Sequence, residues 1–223
     1  MTWLSYLSVR WVNCVKTADC IRQVYCIGSE GLASELRQCN IYPTEIGPDP
    51  LAGRSAADLE SYELDSDVRC VVVGLDYEFS FVKAAKAVMY LQDKSCLFVA
   101  TNTDANIPTA SGRLMPCAGS IVATVQTGSQ RLPDAVCGKP NQAMYDVIAS
   151  QQKIDRRRTL FIGDRLNTDI LFAGRAGFQS LLVLSGVSTM DDVHCKESSM
   201  SEEDQRSVPN YFSSSLGELA RLL

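Results

Sequence analysis

Two carboxylates five residues apart lie within LFIGDRLNTDILFAG, residues 160–174. Asp164 follows directly on the apolar run TLFIG, and Asp169 stands about one helical turn further along. In an open parallel sheet the ligand crevice lies beyond the carboxyl ends of the strands. An acid placed there can hold a hard cation such as Mg²⁺, which takes one or two carboxylates and keeps water or phosphate at its other positions. Gly163 leaves room for a close backbone approach. Plain structure explains the pair equally well: Asp164 as a turn residue, Asp169 as an acid favoured by the positive end of a helix. Lys139 adds weight to chemistry, because it closes a second apolar run, AVCGK, behind a glycine and ahead of a helix whose N–H groups can face an anion. A lysine so placed could pair with a phosphoryl group and offset charge growing in transfer.

The elements that must position these residues alternate in type. VYCIG (24–28) reads as a strand and SEGLASELRQCN (29–40) as a helix with Leu32, Leu36 and Cys39 on one face. Residues 41–61, with their Pro, Gly and Asp, read as one long loop. RCVVVGL (69–75) is a β-branched strand, SFVKAAKAVMYLQDK (80–94) a helix opened by Ser80, and SCLFVATN (95–102) a further strand. The spacing of Phe81, Ala85, Val88 and Leu91 predicts the buried face of that helix. A polar loop over 102–113 and a helix over 119–130 follow. The last region predicts strand 135–139, helix 140–153, strand 159–163, helix 167–177 and strand 180–186, with Pro140 in a first helical turn and Gly177 just past a helix end. Residues 190–210, acidic, serine-rich and carrying the single histidine His194, read as surface loop, and SSSLGELARLL as a short closing helix. Apolar strands alternating with helices imply an α/β fold with a parallel sheet covered on both faces.

Composition narrows the function classes. The chain has 223 residues, 46% apolar and 21% charged, enough for one large or two small domains. A net charge of -5, with Arg156, Arg157 and Arg158 as the basic cluster, gives little field for polyanions, so nucleic-acid binding is not expected. Nine cysteines without a C-x-x-C pair predict buried thiols in a reducing compartment rather than a disulfide or zinc framework. Residues 1–20 have no basic n-region, and Arg10 breaks their apolar run far short of the ~20 residues that span a bilayer. A cytoplasmic protein with no membrane segment is therefore expected, with a transit peptide as the alternative.

GKPN (138–141) followed by GDRLNTDI (163–170) resembles motifs three and four of the haloacid dehalogenase (HAD) superfamily of aspartate-nucleophile phosphatases. VVVGLDYEFSF (71–81), YLQDKSCLFVATNTD (90–104), GRLMPCAGSIVATV (112–125) and LLVLSGVST (181–189) extend the resemblance to the cap-bearing phosphoglycolate, pyridoxal-phosphate and 4-nitrophenyl phosphatase family. The resemblance implies a C2-type α/β cap over residues 24–130 and the C-terminal half of a Rossmann-like core over 131–223, after a non-matching segment 1–23. It also implies Mg²⁺ as cofactor, a small phosphorylated metabolite as substrate, Lys139 on the phosphoryl group, Asp164 as metal ligand and Asp169 in support of the metal site. Asn167 stands where many relatives carry an acid. The loop 102–113 would select the substrate, and Ile107, apolar where the pyridoxal phosphatase branch tends to have histidine, favours a 2-phosphoglycolate-like or general small phosphomonoester. Homodimerisation through the cap is implied as well.

That family begins with a D-x-D motif, which supplies the nucleophile and the general acid, and a T/S-N-N motif that holds phosphate. Residues 1–23 carry neither. The leading expectation is a phosphatase by ancestry, here a shortened chain inactive alone, its core strands weakened by lost neighbours. One alternative is a non-catalytic partner that dimerises or pairs with a full-length relative; another is an incomplete gene model. In a third, the chain is a self-contained phosphatase in which Asp76, Thr101, Lys139 and Asp164 reproduce the set in order, with Glu78 one methylene longer than the acid it would replace.

Overall fold

Alternation of apolar strands with helices governs the chain in the computed structural model, which describes residues 23–44, 46–51, 53, 55–109 and 111–222. The expectations for residues 1–22, namely no membrane segment, a transit peptide as the alternative, and the thiols of Cys14 and Cys20, lie outside the described residues. The chain divides into two compact units, one ending at Gly138 and one running from Lys139 to the C-terminus. Among the described residues no helix is long and apolar enough to cross a membrane.

The first unit is built on a five-stranded parallel sheet of order β2-β1-β3-β4-β7, formed by β1 (Gln23–Ile27), β2 (Tyr42–Pro43), β3 (Val68–Val73), β4 (Leu97–Ala100) and β7 (Ala135–Val136). β3 is the central strand, and Val71, Val72 and Val73 are fully buried because helices cover both faces. One face holds Ile27, Val73, Phe98 and Val122 in a single apolar cluster, and the other holds Val24, Leu32, Leu36 and Val72. Helix α1 (Glu30–Gln38) buries Leu32 and Leu36 as the periodicity predicts. Residues 135–136, grouped by sequence with the C-terminal region, pair here with β4.

Three expectations for this unit need correction. The loop over 41–61 contains β2 and a short helix α2 (Ala56–Glu60), whose Ser55 and Asp58 form a reciprocal capping box; a two-residue strand has no periodicity to read. The polar loop over 102–113 contributes strand β5 (Asn106–Pro108) to an antiparallel hairpin with β6 (Leu114–Pro116). Gly112, at φ 78°, makes the turn, a conformation that favours glycine. Helix α3 (Phe81–Leu91) starts behind Ser80, whose Oγ accepts the Lys83 N–H, but its buried face is Val82, Lys83, Ala84, Lys86, Ala87, Tyr90 and Leu91. Phe81 is 78% exposed. The face is rotated because each of its two lysines has a carboxylate: Lys83 Nζ lies 2.6 Å from Asp76, and Lys86 Nζ 2.8 Å from Asp49 and 4.0 Å from the centre of the Tyr62 ring. Helix α4 (Ala118–Ser129) completes the unit and packs on α3.

The second unit has a three-stranded parallel sheet of order β10-β9-β8: β8 (Leu160–Gly163), β9 (Gln179–Val183) and β10 (Tyr211–Ser213). Helix α5 (Gln142–Gln151) begins after Asn141, so Pro140 precedes it, in a cis Lys139–Pro140 peptide, instead of occupying its first turn. Between β8 and β9 the chain makes a π-helical turn (Leu166–Ile170) and then helix α6 (Leu171–Ala176), closed by Gly177 at φ 73°. Phe161, Phe172, Phe178 and Tyr145 stack edge-on or tilted in series. Residues 190–210 are not loop throughout: α7 (Met190–Glu197) has a Thr189/Asp192 capping box, and α8 (Glu202–Arg206) follows. Ser180 and Asn210 then tie β9 to the start of β10 through Ser180 N–H to Asn210 Oδ1 and Asn210 N–H to Ser180 Oγ. The closing helix, α9, spans Leu216–Leu222.

The seven described cysteines are free thiols, four of them buried. Burial pushes the Cys26 thiol up to about 12 and the Cys96 thiol up to about 11.

Candidate active site

Three of the residues singled out by sequence, Lys139, Asp164 and Asp169, meet at one end of the second unit. Asp164 leaves the carboxyl end of β8. The turn that follows brings Asp169 back so that its Oδ2 accepts the N–H groups of Asp164 and Arg165, each at 3.1 Å. Its Oδ1 lies 2.5 Å from Lys139 Nζ. Gly163 is required here: a Cβ at that position would overlap the Asp169 side chain, so the room it leaves is filled by this carboxylate. Asp169 is buried and both its oxygens are engaged.

Asp164 is held differently. Its carbonyl accepts from Ser188 N–H at 2.9 Å and its Oδ2 from Val187 N–H at 3.1 Å. No donor among the described residues reaches Oδ1. A Cβ at Gly186 would overlap the same carboxylate. The segment after β9 therefore wraps Asp164, a feature that sequence reading quoted as SGVST without assigning it a role. A glycine and a small hydroxyl residue at the end of a third parallel strand were the available signal.

A half-buried carboxylate oxygen without a donor suits a hard cation, which accepts few protein ligands and completes its shell with water or phosphate. Asp164 fits such an ion as one ligand. Among the described residues no group of three His, Cys, Asp or Glu side chains is placed to hold a metal. Asn167 is exposed, and Thr168, next to Asp169, is buried.

Asp76 and Ile107 belong to the first unit. The Asp76 side chain is 4% exposed; Oδ2 takes the Lys83 ammonium and Oδ1 the Glu78 N–H at 2.8 Å. Ile107 sits on β5 opposite Met115 and is 46% exposed. Thr101 Oγ1 donates to Asn102 Oδ1, and Asn102 Nδ2 to Asp104.

Comparison with known proteins places this geometry in a class. A model of HAD-hydrolase-like proteins matches residues 136–218, the stretch that holds Lys139, Asp164, Asp169 and the wrapping segment. The 4-nitrophenylphosphatase of Schizosaccharomyces pombe is 35% identical over 219 residues, covering 97% of this chain and 70% of that protein. The chain belongs to the HAD-like phosphatase family. Glycerol-3-phosphate phosphatase of Homo sapiens is 38% identical over 197 residues, covering 88% of this chain and 61% of its own length. The chain thus spans about three fifths of the glycerol-3-phosphate phosphatases it matches. A solved glycerol phosphate phosphatase of Mycobacterium tuberculosis in complex with magnesium superposes with TM-score 0.70 at 29% identity, over 96% of this chain and 57% of that one. These relatives are named as phosphatases, that is, phosphoric monoester hydrolases.

Proposed function

We propose that the second unit is the metal- and phosphate-holding half of a phosphatase core for small phosphate monoesters, and that the first unit is its cap. The carrying observation is the difference between the two acids: Asp169 is spent on Lys139 and two backbone N–H groups, whereas Asp164 keeps one oxygen free of donors. Asp164 is then the direct ligand of a divalent cation, for which Mg²⁺ is the fitting ion. Asp169 acts one step back, holding the Asp164 backbone and aiming the Lys139 ammonium. When bound, the cation would neutralise charge on the phosphoryl oxygens. Lys139 contributes a second positive group to the same oxygens.

The attacking carboxylate is not supplied by the residues described. Asp76 is buried in a pair with Lys83, and a nucleophile so engaged would first have to leave it. We therefore read the 223-residue chain as inactive by itself. The β8 edge supports this reading: among the described residues it pairs with β9 alone, and Leu160 and Ile162 are 43% and 39% exposed. Ile107 and Met115 share one apolar face of the β5–β6 hairpin; as the substrate-selecting element of a cap, that face would suit a small ester such as glycerol phosphate or 2-phosphoglycolate. Leu114, 67% exposed on the other face, favours a second reading in which the cap joins a second copy or a full-length relative.

Hydrolysis of 4-nitrophenyl phosphate with Mg²⁺ tests both parts. The chain alone is expected to show no turnover above that of Asp164→Ala. Turnover abolished by Asp164→Ala would overturn the inactivity and promote a self-contained phosphatase. Turnover that survives Asp164→Ala would overturn the site.

A further inference from the structure

The segment after β9 does more than connect β9 to α7, and we infer that Ser188 is a positioning residue that fixes Asp164 for its cation. The inference rests on the reading of Asp164 as the metal ligand. Ser188 touches both halves of the site. Its N–H donates to the Asp164 carbonyl at 2.9 Å, while its Oγ accepts the Leu166 N–H at 3.1 Å, at the start of the turn that carries Asp169. Its neighbour Val187 holds Asp164 Oδ2, and Gly186 lets the strap pass against the carboxylate. With the Asp164 carbonyl and one carboxylate oxygen tied to consecutive amides of this strap, the remaining oxygen has a fixed direction.

The strap is itself anchored at both ends. Leu184 N–H donates to Ser213 O at 2.9 Å, extending the β9–β10 pairing. Thr189 caps α7 through its box with Asp192. Within this short span only Ser188 has a side chain bonded to the π-helical turn, so its hydroxyl sets the height of the strap over β8. Loss of the hydroxyl leaves Leu166 N–H without its acceptor and lets the Val187 amide drift from Asp164. Outer partners that orient metal ligands commonly affect metal affinity by about 10–100-fold.

The test is a Mn²⁺ titration of the full ¹⁵N-labelled chain, following paramagnetic broadening of the Gly163, Asp164 and Gly186 amides. In the wild-type chain these amides broaden together, and Asp164→Ala abolishes the effect. Ser188→Ala is expected to raise the Mn²⁺ midpoint about tenfold. Ser188→Thr, which keeps the hydroxyl, restores it to within about twofold of wild type by the same reasoning. Thr189→Ala, which uncaps α7 without touching Asp164, leaves it unchanged. Should Ser188→Ala fail to fold, Ser188→Cys replaces it, because a thiol is a weak acceptor. Broadening that is absent from the wild-type chain, or that persists in Asp164→Ala, overturns the metal reading and this inference with it. Broadening lost in Asp164→Ala but unmoved in Ser188→Ala overturns this inference alone. So does a failure of Ser188→Thr to restore the midpoint, or an equal rise in Thr189→Ala, since either marks Ser188 as merely structural.

Discussion

Asp76 is the residue over which the competing readings part most sharply, and replacing it separates them. As a buried partner of Lys83, its side chain 4% exposed and the lysine's 6%, it holds a charge taken out of water. Asp76→Asn keeps an acceptor for the Glu78 N–H but leaves the Lys83 ammonium without a counter-charge. Removing one member of a buried pair typically costs about 3–5 kcal/mol, because the surviving charge stays desolvated. With a urea slope of about 2 kcal/mol/M, that moves the midpoint of the first unit down by roughly 1.5–2.5 M. Lys83→Met should cost about as much, for the converse reason. The double variant should cost less than the sum of the two by about 2 kcal/mol or more, since each single change carries the penalty of an orphaned partner. Hydrogen exchange of the α3 amides in residues 81–91 isolates the first unit from the second. At a tenfold change per 1.4 kcal/mol, loss of 3 kcal/mol speeds exchange through unit opening by about a hundredfold. Unchanged exchange in Asp76→Asn, together with 4-nitrophenyl phosphate turnover in the wild type that this variant loses, would refute the structural role and make Asp76 the nucleophile.

Gly163→Ala is expected to push Asp169 off the Asp164 and Arg165 amides, destabilising the second unit by about 1–3 kcal/mol and moving the Asp164 amide resonance; an unmoved resonance would show that the turn absorbs the methyl group. Acid should loosen α7 and α8. The Asp192 carboxyl is held below the usual carboxylate range by the Thr189 N–H and hydroxyl, and the Asp204 carboxyl by Lys196 and then Ser199. A folded pKa below the unfolded value of about 3.9 gives stability that is present above that pH and lost as pH falls through the folded pKa. Exchange protection over residues 190–206 should therefore drop below about pH 4, and Asp192→Asn should flatten the α7 part of that drop. An undiminished drop in that variant would sink the assignment.

The strand–helix alternation was readable because apolar runs of four to six residues separated by amphipathic stretches leave few other folds. What escaped was set by partners distant in sequence. Lys83 and Lys86 look like the solvent side of α3, and placing them outward forces Phe81 inward; Asp76 and Asp49 reverse both assignments, from seven and 37 residues away. The α7 capping box was legible in Thr189 and Asp192 but was outweighed by the serine-rich, acidic composition around it. The β5–β6 hairpin has strands of three residues, too short for alternation to register.

The site divides along the same line. That Asp164 lies at a ligand site follows from its place at the end of an apolar strand, because a parallel sheet gathers such ends on one side; Lys139 follows β7, which pairs in the other sheet, so its ion pair with Asp169 is not fixed by that rule. Which acid does what depends on how many hydrogen-bond donors each oxygen meets, and spacing does not count donors. Asp169, five residues past Asp164, folds back onto the amides of 164 and 165 and takes the lysine, so it enters the site already neutralised. A strap more than twenty residues away then restrains Asp164 through its carbonyl and one oxygen only. A second acid left equally free beside the first would add unscreened repulsion that only a bound cation could relieve. Engaging Asp169 with Lys139 removes that repulsion in advance, so that, on the proposed reading of Asp164 as a metal ligand, the turn would hold its shape before a cation binds.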